Sequence, residues 1–401
     1  MNALRFGAAA EPQVAIVVLN WNGWLDTVEC LESLLRSDYA HYRIIVCDNS
    51  SVDGSFERLQ EWASGRLTVN TTAEGPSGPW AYRPAVKPLR SVVYDPESDA
   101  HAPHECADAQ LVFVQTGANL GYAGGNNVGI RYALAHTDAR YVWILNNDTI
   151  VDRHALSRMV DCASRDRRIG IVGATLLRHA QPDIVQAYGG GSIIPMVGVD
   201  TQFGRGTKVV ASPALSKPLE HVIGASMFAR TEAIRSAGLL EESYFLYREE
   251  TDWCIKLRRL GWKLVFCPEA VVWHKEGRSV GFKSELHDYY SVRNMLYLMQ
   301  QYYPRTVPLA IVYWLFRSLV PKLARLQFRR VGCVCRAFRD FFRGVNGKSD
   351  AFAHSWPLLE AALRAEEEAV RARTKRQKRA HWIARLARPP AKSAPRSRVL
   401  P

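Results

Sequence analysis

VAIVVLNWNGWLDTVECLESLL (Val14–Leu35) and, shortly after it, RIIVCDNSSVDGSFERLQEWA (Arg43–Ala63) decide the fold. Each opens with an apolar run rich in β-branched residues, Val14–Leu19 and Arg43–Cys47, as expected of parallel strands buried on both faces. Each run ends in a polar loop and then a helical period. In the first, Leu25, Val28, Leu31, Leu34 and Leu35 share one side of a helix, and in the second Phe56, Leu59 and Trp62 do so. Repeated strand–loop–helix alternation predicts a doubly wound α/β sheet. Ligands of such sheets bind outside the carboxyl ends of the strands, which puts Asn20, Asn22 and Asp48 first among candidate site residues.

The rhythm continues outward. Leu111–Gln115 and Tyr141–Leu145 read as strands, Asn126–Ala135 as a helix, and a helix near 153–163 precedes a strand at Ile169–Ala174. Residues 175–215 are rich in Gly and Pro and resist assignment. Order returns at Val222–Ala229, with a helix after Thr231, another near 250–260 ending at Gly261, and short strands at Lys263–Phe266 and Ala270–Trp273. Residues 70–108, carrying Pro76, Pro79, Pro84, Pro88, Pro96 and Pro103, read as an inserted surface excursion in a domain spanning 12–285. A helical region follows over 286–345, then a charged helical segment over 346–387 and a compositionally disordered tail over 388–401.

With 47% hydrophobic and 10% aromatic residues in 401, global disorder is excluded. The net charge of +13 concentrates beyond Arg305, which calls for a polyanionic partner. No helix-turn-helix, RNA-recognition or zinc signature accompanies it, so nucleic acid is not expected. Residues 302–343 interleave aromatics with arginines. They fit either an amphipathic segment at an anionic membrane surface or a helical subdomain with a solvated basic face. The longest apolar stretch there, Leu309–Phe316, stops at Arg317 and is too short to span a bilayer. Eight scattered cysteines without a CxxC pair, and no signal peptide ahead of the first strand, predict reduced thiols in a cytoplasmic setting.

Four successive strand ends carry Asp or Asn: Asn20/Asn22, Asp48-Asn49-Ser50-Ser51, Asn119 to Asn127, and Asn146-Asn147-Asp148-Thr149. Any one of them alone caps helices or makes turns. Together they form a polar rim suited to a base, a ribose and a hydrated divalent ion. The glycines Gly121, Gly124 and Gly125 do not have the spacing of a dinucleotide fingerprint.

The blocks VVLNWNG (Val17–Gly23), CDNSSVDGS (Cys47–Ser55), NLGYAGGNN (Asn119–Asn127), LNNDT (Leu145–Thr149), YREETDWCIKLRRLGW (Tyr247–Trp262) and VVWHKEGRS (Val271–Ser279) resemble, in order and spacing, the family-2 glycosyltransferases, above all their rhamnosyltransferase-like branch. The resemblance implies an A-type α/β nucleotide-sugar-binding domain with a mixed central sheet, plus the helical basic C-terminal region. It implies that Asp48 recognises a pyrimidine base, with Asn20 and Asn22 beside the nucleotide. Asn119, Gly124 and Asn126 would border the donor, and Asn146 and Asn147 would stand in the metal signature with Asn146 in place of its first acid. Asp148 and His274 would hold Mn²⁺ or Mg²⁺, although a lone histidine after a strand is ordinarily structural. Glu250 falls on the catalytic base, one methylene longer than the usual Asp, with Glu249 and Asp252 as alternatives. Acids in a first helical turn also serve as caps, and that reading stays open.

The function so implied is an inverting transfer from a nucleotide-diphosphate sugar, dTDP-rhamnose the best single candidate, to a cell-surface glycan or lipid-linked saccharide, at the inner membrane face. The rival is a catalytically altered nucleotide-sugar or glycan-binding scaffold, motivated by the Asn146 and Glu250 substitutions.

Overall fold

Described here from a computed structural model are residues 11–69, 84–96, 109–276, 284–349 and 352. The amino-terminal part runs β1 (Val14–Asn20), α1 (Trp24–Leu34), β2 (Tyr42–Asp48), α2 (Ser55–Ala63), β3 (Ser91–Tyr94), β4 (Leu111–Gln115), α3 (Gly121–His136) and β5 (Tyr141–Asn146). Its strands are all parallel, in the order β3-β4-β2-β1-β5. The chain leaves β1 towards β2 and β4, then returns to place β5 on the other flank of β1. That reversal opens a crevice at the carboxyl ends of β2, β1 and β5, the place where a parallel sheet admits a ligand.

The second half supplies β6 (Thr149–Val151), α4 (Ala155–Ser164), β7 (Ile169–Arg178), β8 (Gln181–Tyr188), β9 (Gly190–Ile194), β10 (Val199–Gln202), β11 (His221–Val222), β12 (Ser226–Arg230), α5 (Thr231–Ala237), α6 (Glu249–Arg259) and β13 (Lys263–His274). The sheet continues β5-β12-β7-β13-β6, with β8 folded onto β7. It is mixed as expected, because β12 runs antiparallel to both β5 and β7. The stretch that resisted assignment forms the long β7–β8 hairpin and a small antiparallel sheet ordered β10-β9-β11. The two short strands expected at 263–273 are one, with a register break between Cys267 and Val271 that takes in Pro268, which has no N–H to give to a ladder. The described part of the 70–108 excursion contributes an edge strand, β3, which pairs with β4.

The continuous apolar runs follow from burial on both faces. Along β1, Val14, Ile16 and Val18 enter a core shared with α1, α2 and α4, while Ala15 and Val17 enter the core beneath α3, α5 and α6. Helix α3 begins at Gly121, five residues before the expected start, so the glycine-rich motif is helix and not loop. A Cβ at Gly129 would lie 2.5 Å from Val17 Cγ1 and 2.8 Å from Cys47 Sγ, and one at Gly124 would lie 2.7 Å from Leu120 Cβ. Internal packing therefore dictates these glycines.

Three helices follow: α7 (Glu285–Tyr302), α8 (Val307–Ala324) and α9 (Phe328–Phe342). Helix α7 is embedded in the body, with Tyr289, Tyr290, Arg293 and Asn294 fully buried. Its buried Asp288 receives Arg330 Nε (2.6 Å) and Nη2 (3.0 Å) from α9 and lies 3.1 Å from Lys322 Nζ of α8. The apolar stretch Leu309–Phe316, read as too short to span a bilayer, lies within a longer helix that continues through Arg317. Pro304–Ala324 is long and apolar enough, by length and composition only, to cross a membrane. The charged segment and tail expected over 346–401 lie, apart from 346–349 and 352, outside the described residues.

Gly129→Ala forces a methyl into the α3–β1 contact and costs about 1–3 kcal/mol, the usual range for overpacking a filled core. Calorimetry checks this as a lowered Tm, and an unchanged Tm would contradict the packing role.

Candidate active site

The rim of the crevice is set by register. Asn20 lies beside Asp48 on β2, and Leu19 beside Asn146 on β5. Next to them β13 brings His274 against Thr149 of β6, just past Asp148. Ala225, immediately before β12, accepts from Asn146 N (3.0 Å), and a Cβ on neighbouring Gly224 would lie 3.7 Å from Glu250 Cβ. These links place Asp48, Asp148, His274 and Glu250 on one edge of one sheet.

Asp148 Oδ1 and His274 Nε2 are 3.1 Å apart and both side chains are buried. Apart from His274, that oxygen has no hydrogen-bond partner among the described residues. Gln186 Oε1, 2.9 Å from His274 Nδ1, can only accept, so Nδ1 carries a proton and turns Nε2 towards the carboxylate. A bare nitrogen facing a bare carboxylate oxygen at this distance requires a positive charge, a proton or a metal ion, between them. Burial alone would pull the imidazole pKa down and the carboxyl pKa up. Mutual attraction outweighs burial in both, so His274 stands above its ordinary value and Asp148 below its own. The neighbouring Lys275 donates its backbone N–H to Asp148 O (3.0 Å) and ties its ammonium to Asp26 and Glu29 of α1, fixing the end of β13.

The pair fits a hard or borderline divalent cation, with one carboxylate oxygen, one imidazole nitrogen and a second-layer amide that orients the ring. Among the described residues no group of three His, Cys, Asp or Glu side chains is placed to hold a metal ion.

On the other side of β1, Asp48 is fully buried. Its carboxylate accepts from Asn20 Nδ2 (2.7 Å), Ser51 Oγ (2.6 Å) and Ser51 N (3.0 Å). Burial raises its pKa and these donors moderate the rise. Asn20 Oδ1 in turn accepts from Thr27 Oγ1 (2.7 Å), to which Asn147 Nδ2 also donates (3.0 Å). A polar chain thus runs from Asp48 to the residue preceding Asp148. Asn22 Oδ1 caps Val52 N (2.8 Å), while its buried Nδ2 is without a partner among the described residues. Asn119 Oδ1 accepts from Asn49 Nδ2 (3.2 Å) and Gly121 N (3.0 Å), clasping the start of α3 to the end of β2. Asn126 Nδ2 donates back to Tyr122 O (2.9 Å).

Glu249 and Glu250 begin α6 after a turn in which Phe245 (φ 63°), Tyr247 (φ 66°) and Arg248 (φ 83°) all occupy positive φ. Such residues cost of order 1–3 kcal/mol each and persist only where their surroundings impose them. Here α7 imposes them. Asn294 Nδ2 donates to the carbonyls of Tyr244 (2.8 Å), Leu246 (2.6 Å) and Tyr247 (3.0 Å), and Arg293 Nη2 reaches Tyr244 O (3.3 Å). From the opposite side Gly121 (φ +73°) lets Phe245 O come within 2.3 Å of where its Cβ would stand.

Glu250 is partly exposed. Its Oε2 accepts from Arg248 N (3.1 Å) and its Oε1 from Thr251 Oγ1 (3.1 Å), so it does act as a cap. Burial raises its pKa while Arg248 opposes the rise, and Arg248 is itself held by Asp200 of β10 at 2.9 Å. Glu249 is buried, with Oε2 unpartnered among the described residues, and burial followed by the charge of Glu250 pushes its pKa well up. Asp252 is separate. Fully buried, it accepts from Tyr302 OH (2.6 Å) and pairs with Lys256 (2.7 Å), which docks α7 on α6 and removes it from contention as a base.

Sequence reasoning missed Gln186, Asp200, Arg248, Arg293 and Asn294. The first two sit in the stretch without a readable period. Arg293 and Asn294 betray themselves only as polar residues on an otherwise apolar side of a helix.

Sequence profiles described as "Glycosyl transferase family 2" and "Glycosyltransferase like family 2" match residues 15–79 and 97–288. The low-salt glycan biosynthesis hexosyltransferase Agl10 of Haloferax volcanii is 26% identical over 207 residues, 51% of this chain and 64% of that protein. The N-acetylglucosaminyl-diphospho-decaprenol L-rhamnosyltransferase of Mycobacterium tuberculosis is 28% identical over 191 residues, 41% of this chain and 59% of that protein. The chain thus spans less than two thirds of either relative. The crystal structure of GalNAc-T7 with UDP, GalNAc and Mn²⁺ matches with TM-score 0.51 and 13% identity, over 85% of this chain and 59% of that one, a likeness of fold.

NMR titration of the metal-free protein should find His274 above the ordinary imidazole value of about 6.5. In Asp148→Asn it should fall, since burial remains and the attraction is lost. The His274 contribution to stability is complete below about pH 6.5 and vanishes as pH rises through its raised pKa. That of Asp148 is complete above about pH 4 and vanishes as pH falls through its lowered one. A titration unmoved by Asp148→Asn would refute the pairing.

Proposed function

We propose, since this chain belongs to the family-2 glycosyltransferases and to their rhamnosyltransferase-like branch, that it is a metal-assisted inverting enzyme. It would move a sugar from a nucleotide-diphosphate donor to a lipid-linked saccharide or cell-surface glycan at the inner membrane face. The observation that carries this reading is the shared edge on which the Asp148–His274 pair, the Asp48 network and Glu250 stand. Rhamnose from dTDP-rhamnose remains the first donor to try, on the strength of the mycobacterial relative's name.

Each group then has a task. Asp48 takes the base by exchanging one Ser51 bond for a ring N–H, a charge-assisted bond in a dry site. Asn20, Asn22 and Asn147 line the nucleotide, with Asn146 at the end of β5 beside the diphosphate. Asn119, Gly124 and Asn126 shape the start of α3 along its border. Asp148 and His274 would hold Mn²⁺ or Mg²⁺, which supplies Lewis-acid stabilisation of the departing diphosphate. Glu250 accepts the proton of the acceptor hydroxyl as that oxygen attacks the anomeric carbon and the bond to the diphosphate breaks. Burial raises its pKa, the direction that strengthens a carboxylate as a base, and Arg248 N and Thr251 Oγ1 hold its two oxygens. Glu249 stands buried beside it, its pKa pushed well up by burial and by the charge of Glu250.

Glu250→Gln should reduce kcat by roughly 10²–10⁴-fold, the range for loss of a positioned base, with donor affinity by calorimetry close to wild type. Equal activity in the variant would move the base elsewhere. Donor binding without turnover in the wild type would favour the scaffold, and no nucleotide-sugar binding with or without Mn²⁺ would end the enzymatic reading. Asn294→Ala, which removes one donor from each of three carbonyls of the turn, should lower kcat while leaving donor Kd near wild type. A proportionate loss of both would show that the turn serves the donor instead.

A further inference from the structure

Helix α8 has two opposed faces. Ala310, Trp314 and Ser318 form a buried stripe. On the other side Leu309, Val312, Phe316, Val320 and Leu323 follow the three-and-four spacing of a single face, and Phe316 is 62% exposed. The stripe continues into the turn before α9, where Leu326 is 71% and Phe328 66% exposed. Beside it stands the β9–β10 hairpin, whose apolar tip exposes Ile194 (43%) and Met196 (58%) and which joins α8 through Thr306 Oγ1 to Pro195 O (2.9 Å) and Trp314 Nε1 to Val197 O (2.7 Å).

The charge around this apolar strip has one sign. From 304 to 349 the sequence holds a single acid, Asp340, which is buried, against exposed Arg305, Arg317, Arg325, Arg329 and Arg343. An exposed apolar strip of this size is uncommon on a monomeric surface. Arginine-flanked strips suit the headgroup boundary of an anionic bilayer, where apolar burial and charge attraction add. The helix is also tied to the body along its length, through Thr306 at one end, Trp314 in the middle and Lys322, 3.1 Å from Asp288, at the other. A helix so fastened cannot thread a bilayer while the sheet stays outside.

We propose that the outer face of α8, the Leu326–Phe328 turn and the β9–β10 hairpin tip together form one docking surface on which the protein lies flat against an anionic membrane. Bound in this way, the chain holds the turn carrying Glu250 at a fixed height, since α7 fastens both that turn and, through Asp288, helices α8 and α9. The inference rests on the lipid-linked reading of the acceptor for its purpose only, because its observations are those of the surface.

The test uses the full chain and vesicles of phosphatidylcholine with about one third phosphatidylglycerol, compared with phosphatidylcholine alone. Wild type should co-sediment at least ~10-fold more with the anionic vesicles, and an alkaline carbonate wash should release it. The double variant Phe316→Asp with Leu323→Asp changes two exposed side chains. It should keep the wild-type Tm and lose vesicle binding by ~10-fold or more. Binding unchanged in the variant, or equal on neutral vesicles, would overturn the proposal, and retention after the wash would overturn the flat arrangement. Failure to bind vesicles, together with a dimer that the double variant converts to monomer, would make the face an interface between two copies. Transfer to a short water-soluble acceptor, measured alongside, keeps this outcome separate from that of the catalytic reading, since the two can fail independently.

Discussion

Two lone pairs facing each other across 3.1 Å, on Asp148 and His274, are the constraint from which the rest of the site follows. Such a contact is stable only with a positive charge inside it, and burial removes water as the source. The fold supports the contact from three directions. Gln186 on β8 sets the ring, Lys275 bonds the Asp148 carbonyl, and α1 holds Lys275 through Asp26 and Glu29. A protonated imidazole or a bound cation satisfies the contact, and the pair stands beside a crevice at the end of a parallel sheet.

The acid side of the site is built by a different device. The backbone before Glu249 adopts three unfavourable conformations, and the compensation comes from Asn294, a single amide on a helix that begins some 35 residues downstream. The turn before Glu249 is therefore not a property of its own sequence. It exists because α7 is buried behind it and because Gly121 yields space in front of it.

What was legible in the sequence was whatever repeats or caps a strand. The runs at Val14–Leu19 and Tyr141–Leu145 gave their strands because a two-sided burial requires uninterrupted apolar residues, and the residues closing them lie at the crevice. Residues whose meaning depends on a distant partner were not legible. Gln186 reads as an ordinary polar residue until His274 lies beside it, and Asp200 until Arg248 does. The expected helix start, at Asn126, falls five residues late because Gly124 and Gly125 answer to Leu120 and Leu19 in the packing and carry no helical period of their own. The apolar stretch Leu309–Phe316 understated the length of its helix for a simpler reason. A long side chain on the surface of a helix does not end it, and the eight-residue apolar stretch is part of an eighteen-residue helix.

The Asp288 junction has a consequence for what counts as a module in this chain. It fastens α8 and α9 to the same helix that shapes the turn carrying Glu250. Sequence matching ends near residue 288, yet the compact unit extends to Phe352. A boundary drawn where the homology stops would cut through the keystone and leave an arch without its far pier. Any graft of carboxy-terminal segments between relatives would have to carry α7 across together with the helices beyond it.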